Sequence, residues 1–161
     1  MKFRLGELFS GPGGSALGAA SAKVVSGGGF SIKHTWANDN DDDSCRTYRQ
    51  NICPKRPRSV ISEDVRRLDF SQVPPIDALA FGFPCNDFSV VGERKGMNGV
   101  YGPLYSYGIK ALAHFRPMWF FSENVGGLQS ANEGLAFRTI LQEMRQAGYN
   151  ITPHLYRFEE Y

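Results

Sequence analysis

Apolar residues along this chain fall in short runs, each closed by glycine, proline or an acidic cluster, and their spacing predicts strands alternating with helices. Residues 3–9 (FRLGELF) predict a first strand, which breaks at Ser10-Gly11-Pro12-Gly13-Gly14 before a small-residue helix over 15–23. A joint at 26–29 precedes a second strand over 31–36, which runs into the polar stretch ANDNDDD at 37–43. A helix follows over 44–51 with Asp42 or Asp43 at its start. The proline-punctuated basic segment 54–58 reads as a loop, and 60–65 (VISEDV) as a third strand, with Arg66 and Arg67 facing solvent. Ala78–Phe81 is a short, continuous apolar run, the mark of a buried parallel strand. Further on, 104–115 predicts a helix stopped before Pro117, 118–121 a strand, 133–147 a helix closed by Gly148, and 151–158 the start of a last strand. This alternation indicates an α/β fold, a mostly parallel sheet flanked by helices.

Candidate chemistry collects where the strands end. In open α/β sheets the ligand crevice lies outside the carboxyl ends of the strands. The strand at Ala78–Phe81 stops at Gly82, and Pro84 and Cys85 follow; Pro84 restricts how the thiol can point. A cysteine after a strand is more often a small packed side chain than a nucleophile, so its companions decide the matter. The turn Ser10–Gly14, directly after the first strand, lets backbone N–H groups and a helix N-terminus approach a ligand closely. Asp39 ends the second strand, where an acid is well placed to accept hydrogen bonds from ribose hydroxyls. Asp64, at the end of the third, can accept from an adenine amino group while the Val65 backbone meets the ring. Arg94 and Lys95, in a glycine-rich loop, suit phosphates. Glu123 and Asn124 leave another apolar strand at the same sheet edge; desolvation is costly for a carboxylate there, which makes Glu123 a functional candidate.

Composition changes this picture little. The 161 residues, 42% hydrophobic and 21% charged, suit one soluble globular domain, and a net charge of +2 permits a nucleic-acid partner without announcing one. The three cysteines lack CxxC spacing and the three histidines are scattered, so neither a disulfide framework nor a metal site is expected. No apolar run reaches membrane-spanning length and the N-terminus lacks signal-peptide character, which sets the cytoplasm as the expected location.

Taken together, ELFSGPGGSALG, GFPCNDFS and ENV resemble, in that order, the cofactor, nucleophile and acid motifs of the DNA cytosine-5 methyltransferase family, with weaker matches at ANDND, SEDV and GPLY. The resemblance implies a Rossmann-like methyltransferase fold and S-adenosylmethionine as methyl donor. It implies Cys85 as the nucleophile that attacks carbon 6 of cytosine, Glu123 as a protonated partner of the ring nitrogen, and Asn124 as the residue holding the cysteine loop or the carboxyl. Phe9, Ser10, Gly11, Gly13, Gly14, Asp39, Asn40, Asp64, Val65, Pro84 and Leu104 would form the cofactor site. Asn40 stands where the family often carries a bulky side chain beside the ribose acid. The target carbon is hidden inside a duplex, so double-stranded DNA is the implied partner and its cytosine must be flipped out. The loop 91–99 would close over that base, with Asn86, Ser89, Arg94 and Lys95 on DNA. The location implied is the bacterial cytoplasm, at the nucleoid.

The family continues into a strand carrying a glutamine and arginines, then a target-recognition domain and a returning segment, and this sequence contains none of them. The expectation is therefore a partial catalytic domain over 1–161, its sheet incomplete at the C-terminal end, that works with a second polypeptide or a missing C-terminal part. Outside this reading stand a non-catalytic domain that binds cofactor or a partner chain, and an enzyme acting on cytosine in tRNA.

Overall fold

The computed structural model describes residues 1–23, 29–84 and 104–156. It divides into two compact units, Met1–Phe83 with Ser106–Glu123, and Pro84–Tyr105 with Asn124–Tyr161.

The first unit holds a five-stranded parallel sheet in the order β3-β2-β1-β4-β5. Its strands are β1 (Lys2–Leu8), β2 (Ser31–Asp39), β3 (Val60–Ser62), β4 (Ala78–Phe81) and β5 (Trp119–Ser122), and its helices α1 (Gly14–Ser21), α2 (Asp42–Asn51) and α3 (Tyr105–Phe115, from its second residue onward). The chain winds outward from β1 through β2 to β3, then returns to lay β4 against the other side of β1. The strand order therefore reverses at β1/β4, the place where doubly wound sheets open a crevice. All four residues of β4 are buried, as its unbroken apolar run implies.

Side-chain alternation assigns the two faces. Leu5, Ile32, Ala78 and Ala80 pack with Phe3, Ala19 and Trp119, while Ala16, Cys45 and Tyr48 of α1 and α2 pack with Ala37 and Val60. On the opposite face Gly6 lies under the Trp36 indole, Trp36 meets Phe115 of α3 at 5.5 Å between ring centroids, and Gly108 sits so close to the Phe81 ring that no side chain would fit. One irregularity makes both faces possible. Leu5 pairs with His34 but Gly6 pairs with Trp36, so Thr35 is an extra residue in β2. This bulge lets His34 and Ala37 share the α2 face while Trp36 turns to the α3 face, where its indole N–H reaches the Pro74 carbonyl at 3.0 Å.

Several boundaries correct the sequence expectation. β2 runs on to Asp39 rather than stopping at Trp36, because Ala37 and Asn38 pair with Glu7 and Leu8 on one side and with Val60 and Ile61 on the other. β3 ends at Ser62 rather than Val65, since β2, its one neighbour among the described residues, ends at Asp39. The N-cap of α2 is Asp41, whose carboxylate accepts from Ser44 N at 2.7 Å; Asp42 and Asp43 fill the first turn, where acids suit the helix dipole.

The second unit is built on α4 (Leu135–Gln146), with 3-10 turns at Gly126–Gln129 and Ala131–Gly134 before it. Glu133 and Gly134 have φ of 55° and 77°, which delays the helix to Leu135. Leu128, Ala136, Ile140 and Met144 are buried, and the Tyr105 hydroxyl donates to Glu143 at 2.9 Å. The strand expected over 151–158 is absent from 151–156, where no ladder forms: Pro153 has no N–H to give, and His154 lies edge-on to Tyr156. Residues 157–158 lie outside the described residues, as do 26–28 of the expected joint. No described helix is long and apolar enough to cross a membrane.

Candidate active site

The glycine turn is tied down by backbone geometry that few residues tolerate. Phe9, Gly11 and Gly13 have φ of 54°, 53° and 103°. Ser10 N donates to Asn38 O at 3.1 Å and Gly11 N to the Asp39 carboxylate at 2.8 Å, so the turn hangs from the end of β2. A Cβ on Gly13 would lie 2.7 Å from Ile52 and 3.0 Å from the Tyr48 ring, whereas above Gly11 and Gly14 there is nothing within 4 Å. The turn is therefore packed underneath and open above. α1 has no side-chain cap and no acid in its first turn, which leaves its N-terminal N–H groups for a ligand.

The ends of β2 and β3 supply the acids. Asp39 is half-buried and accepts from Gly11 N through one oxygen and from Asp41 N, at 3.0 Å, through the other; Asn40 is exposed beside it. Asn38 is buried and donates both amide hydrogens to carbonyls at the end of β3, Ile61 O within the strand at 3.1 Å and Glu63 O just past it at 2.8 Å, which fixes the spacing of the two strand ends. Asp64 receives the Arg66 backbone N–H and guanidinium, and that pairing holds its carboxyl below the usual range. Arg66 thus pairs as well as facing solvent. Val65 is buried next to Asp64.

At the β4/β5 end, Glu123 N donates to Phe81 O at 3.2 Å and the Glu123 carboxylate lies over Gly82, 3.2 Å from where a Cβ would stand. Glu123 is exposed, which corrects the expectation of a desolvated position: among the described residues β5 has a strand neighbour only in β4. The first unit thus gathers Phe9, Ser10, Gly11, Gly13, Gly14, Asp39, Asn40, Asp64, Val65 and Glu123 at the carboxyl edge of one sheet. In the second unit Pro84 and Leu104 are half-buried, and Asn124 Oδ1 accepts from Val125 N at 2.9 Å. Cys85, Asn86, Ser89, Arg94 and Lys95 lie outside the described residues.

Residues 3–161 match the sequence profile of the C-5 cytosine-specific DNA methylase family. The chain belongs to that family. It is 58% identical to the Type II methyltransferase M.BbvI of Brevibacillus brevis, over 100% of this chain and 46% of that protein. It is 38% identical to the DNA (cytosine-5-)-methyltransferase M.ApeKI of Aeropyrum pernix, over 85% of this chain and 32% of that one. A solved structure of the Entamoeba histolytica methyltransferase EhMeth superposes with a TM-score of 0.62 at 15% identity, covering 91% of this chain and 44% of that one, a likeness of fold. This methylase chain spans less than half the length of these relatives.

Sequence reasoning missed the buried polar residues beneath the methylase glycine turn. Glu7 is 1% exposed in β1, its Oε2 hydrogen-bonded to the Tyr48 hydroxyl; the Tyr48 hydroxyl is 2.9 Å from His34 Nδ1, and His34 Nε2 is 2.7 Å from Ser59 Oγ. Burial raises the Glu7 carboxyl to about 7 against the opposing Tyr48 hydrogen bond, and raises the Tyr48 hydroxyl. Burial and the nearby Arg56 charge lower His34 to about 4. The available signal was that Glu7 falls on the same alternation as Phe3 and Leu5 in the run FRLGELF.

Proposed function

We propose that this chain is the cofactor-binding and nucleophile-bearing part of a DNA cytosine-5 methyltransferase, which uses S-adenosylmethionine to methylate carbon 5 of a cytosine flipped from a duplex. The observation that carries the reading is the 58% identity across the whole chain to a Type II methyltransferase, with the glycine turn, Pro84-Cys85 and Glu123-Asn124 intact in this sequence. The described residues fit the cofactor. The space above Gly11 and Gly14 is open, an acid stands at the end of β2, and the α1 N-terminus is uncapped by any side chain.

Bound S-adenosylmethionine supplies an electrophilic methyl group. Gly11, Gly13 and Gly14 would admit its methionine part, Asp39 its ribose and Asp64 its adenine amino group, with Phe9, Ser10, Asn40, Val65, Pro84 and Leu104 around them. The Cys85 thiolate would add to carbon 6 of cytosine, which turns the electron-poor ring into an enamine-like species, nucleophilic at carbon 5. Glu123 would give a hydrogen bond or proton to the ring nitrogen, and Asn124 would hold the cysteine loop or the carboxyl. Once carbon 5 has taken the methyl group, a base removes the carbon 5 proton, and the electrons return to the ring and expel Cys85. Asn86, Ser89, Arg94 and Lys95 would contact DNA. A second polypeptide or further segment of chain would complete target recognition.

The test is a DNA duplex containing 5-fluorocytosine, with tritiated S-adenosylmethionine, added to the chain alone and to the chain mixed with the C-terminal part of a full-length relative. Fluorine at carbon 5 cannot leave as a proton, so a covalent adduct at Cys85 is the expected product. Adduct only in the mixture makes this chain one half of an enzyme, and no adduct in either case overturns the reading.

A further inference from the structure

The polar chain beneath the glycine turn contains a proton count that its geometry fixes. Its contacts run from Glu7 Oε2 to the Tyr48 hydroxyl, from that hydroxyl to His34 Nδ1 at 2.9 Å, from His34 Nε2 to Ser59 Oγ at 2.7 Å, and from Ser59 Oγ to the Arg56 carbonyl at 2.6 Å. Each of the four contacts needs one hydrogen between its heavy atoms. A carboxylate Glu7 with neutral His34 supplies only three, one each from Tyr48, His34 and Ser59. The fourth must therefore be carried, on Glu7 or on His34.

We propose that this chain holds that extra proton on Glu7 and, through Tyr48, seats Gly13, so that Glu7 and Tyr48 are positioning residues for the cofactor turn. The inference rests on the reading of that turn as the S-adenosylmethionine site. With Glu7 protonated, every donor points one way: Glu7 to Tyr48, Tyr48 to His34, His34 to Ser59, Ser59 to the Arg56 carbonyl. Glu7 Oε1, buried and without a hydrogen-bond partner among the described residues, is better tolerated as the carbonyl of an acid than as half a carboxylate. The alternative, an imidazolium at His34, is opposed by burial and by the Arg56 guanidinium, which donates to the His34 carbonyl at 2.6 Å.

The surrounding elements leave the proton no other carrier. β4 and α1 bring no ionisable side chain to this face. α2 brings Tyr48 and Cys45, and the chain after it brings Cys53 and Arg56. β2 brings His34, with Asp39 at its end committed to Gly11 and Asp41.

Loss of the proton leaves one contact without a hydrogen, and that contact must lengthen. The Tyr48 ring cannot absorb the change alone. It is fully buried, and Gly13 sits so close to it and to Ile52 that a methyl group would not fit between them. The glycine turn therefore follows the ring.

The test measures S-adenosylhomocysteine binding to the full chain by calorimetry from about pH 6 to about pH 8.5, in wild type, Glu7→Gln and Tyr48→Phe. The wild type should lose about fivefold in affinity across that range, the low end of ordinary coupling. Glu7→Gln keeps a donor to Tyr48 at every pH and should bind well with a flat profile, once the ligand's own titration, common to all three, is subtracted. Tyr48→Phe keeps the ring under Gly13 and should also lose the pH dependence. Matching profiles in wild type and Glu7→Gln overturn the proposal. Infrared spectroscopy of the unliganded chain gives a second reading: wild type near pH 6 should show a protonated-carboxyl band that Glu7→Gln lacks, and its absence overturns the proton count. No binding by any variant at any pH would overturn the cofactor reading and the positioning role with it, while the infrared band still decides the proton.

Discussion

Gly11 donates its backbone N–H to the Asp39 carboxylate at 2.8 Å, a bond between the end of β2 and a turn that begins just after β1. The acid expected to face a ribose is thus also the anchor of the glycine turn, with its other oxygen held by Asp41 N. A carboxylate oxygen has lone pairs for a second partner, so the two roles are compatible.

Asp39→Ala should therefore fail in two ways. Losing a charge-assisted hydrogen bond at a half-buried site costs about 1 to 2 kcal/mol of stability, read by urea denaturation. S-adenosylhomocysteine affinity should fall by about tenfold or more, since the turn is freed and an acceptor is removed. Unchanged affinity would remove Asp39 from the cofactor site.

Two glycines in the same turn should behave oppositely. Gly13→Ala meets Ile52 and Tyr48 at a φ of 103° and should cost about 3 kcal/mol from strain and overpacking together. Gly14→Ala opens α1, meets nothing within 4 Å and should stabilise the fold by about 0.5 kcal/mol. If the open space above Gly14 is where the methionine part enters, that same methyl should weaken S-adenosylhomocysteine binding. A variant both more stable and weaker in binding separates a ligand surface from a structural one.

What was legible in the sequence was whatever local chemistry dictates. The apolar run of β4, the break at Ser10 to Gly14 and the acidic start of α2 each announce themselves within a few residues; Asp39 ends β2 and Glu123 directly follows β5, while Asp64 stands two residues past β3. What depends on a neighbouring strand was not legible. The Thr35 bulge is visible only once β2 is paired with β1, and it is what brings His34 and Ala37 to the same face. The alternation that puts Glu7 with Phe3 and Leu5 says nothing of burial until β1 is found at the centre of the sheet. The strand misread at 151–156 had the alternation but not the partner.

Glu7, buried, and His34, half-buried, should give stability opposing pH slopes. Glu7 is raised from 4.5 to about 7, mainly by desolvation, so the folded state holds a proton that the unfolded state releases. Its contribution is full below about 4.5 and is lost as pH rises toward about 7. His34 is lowered from 6.5 to about 4, so its penalty is greatest at acid pH and fades as pH rises toward 6.5. Each slope is at most about 1.4 kcal/mol per pH unit, and where they overlap they cancel. Relative to wild type, Glu7→Gln should gain stability as pH rises between about 4.5 and 7, and His34→Gln should lose it between about 4 and 6.5. Parallel curves for wild type and both variants would show that neither group changes its proton on folding.

Thiol chemistry should single out one cysteine. Cys45 is fully buried, with its thiol pushed up by desolvation, and Cys53 is 5% exposed, so neither offers an accessible thiolate. A nucleophile that must add to a pyrimidine ring needs the opposite, a thiol that a reagent can reach and deprotonate near neutral pH. Iodoacetamide on the native chain should therefore label Cys85 first, and Cys45 and Cys53 only after denaturation, as peptide mass mapping would read directly. Cys85→Ser should abolish both that label and the 5-fluorocytosine adduct while leaving S-adenosylhomocysteine affinity within about twofold, less than 0.5 kcal/mol. Equal loss of adduct and cofactor binding would mean that Cys85 shapes the turn around Pro84 rather than attacking the base.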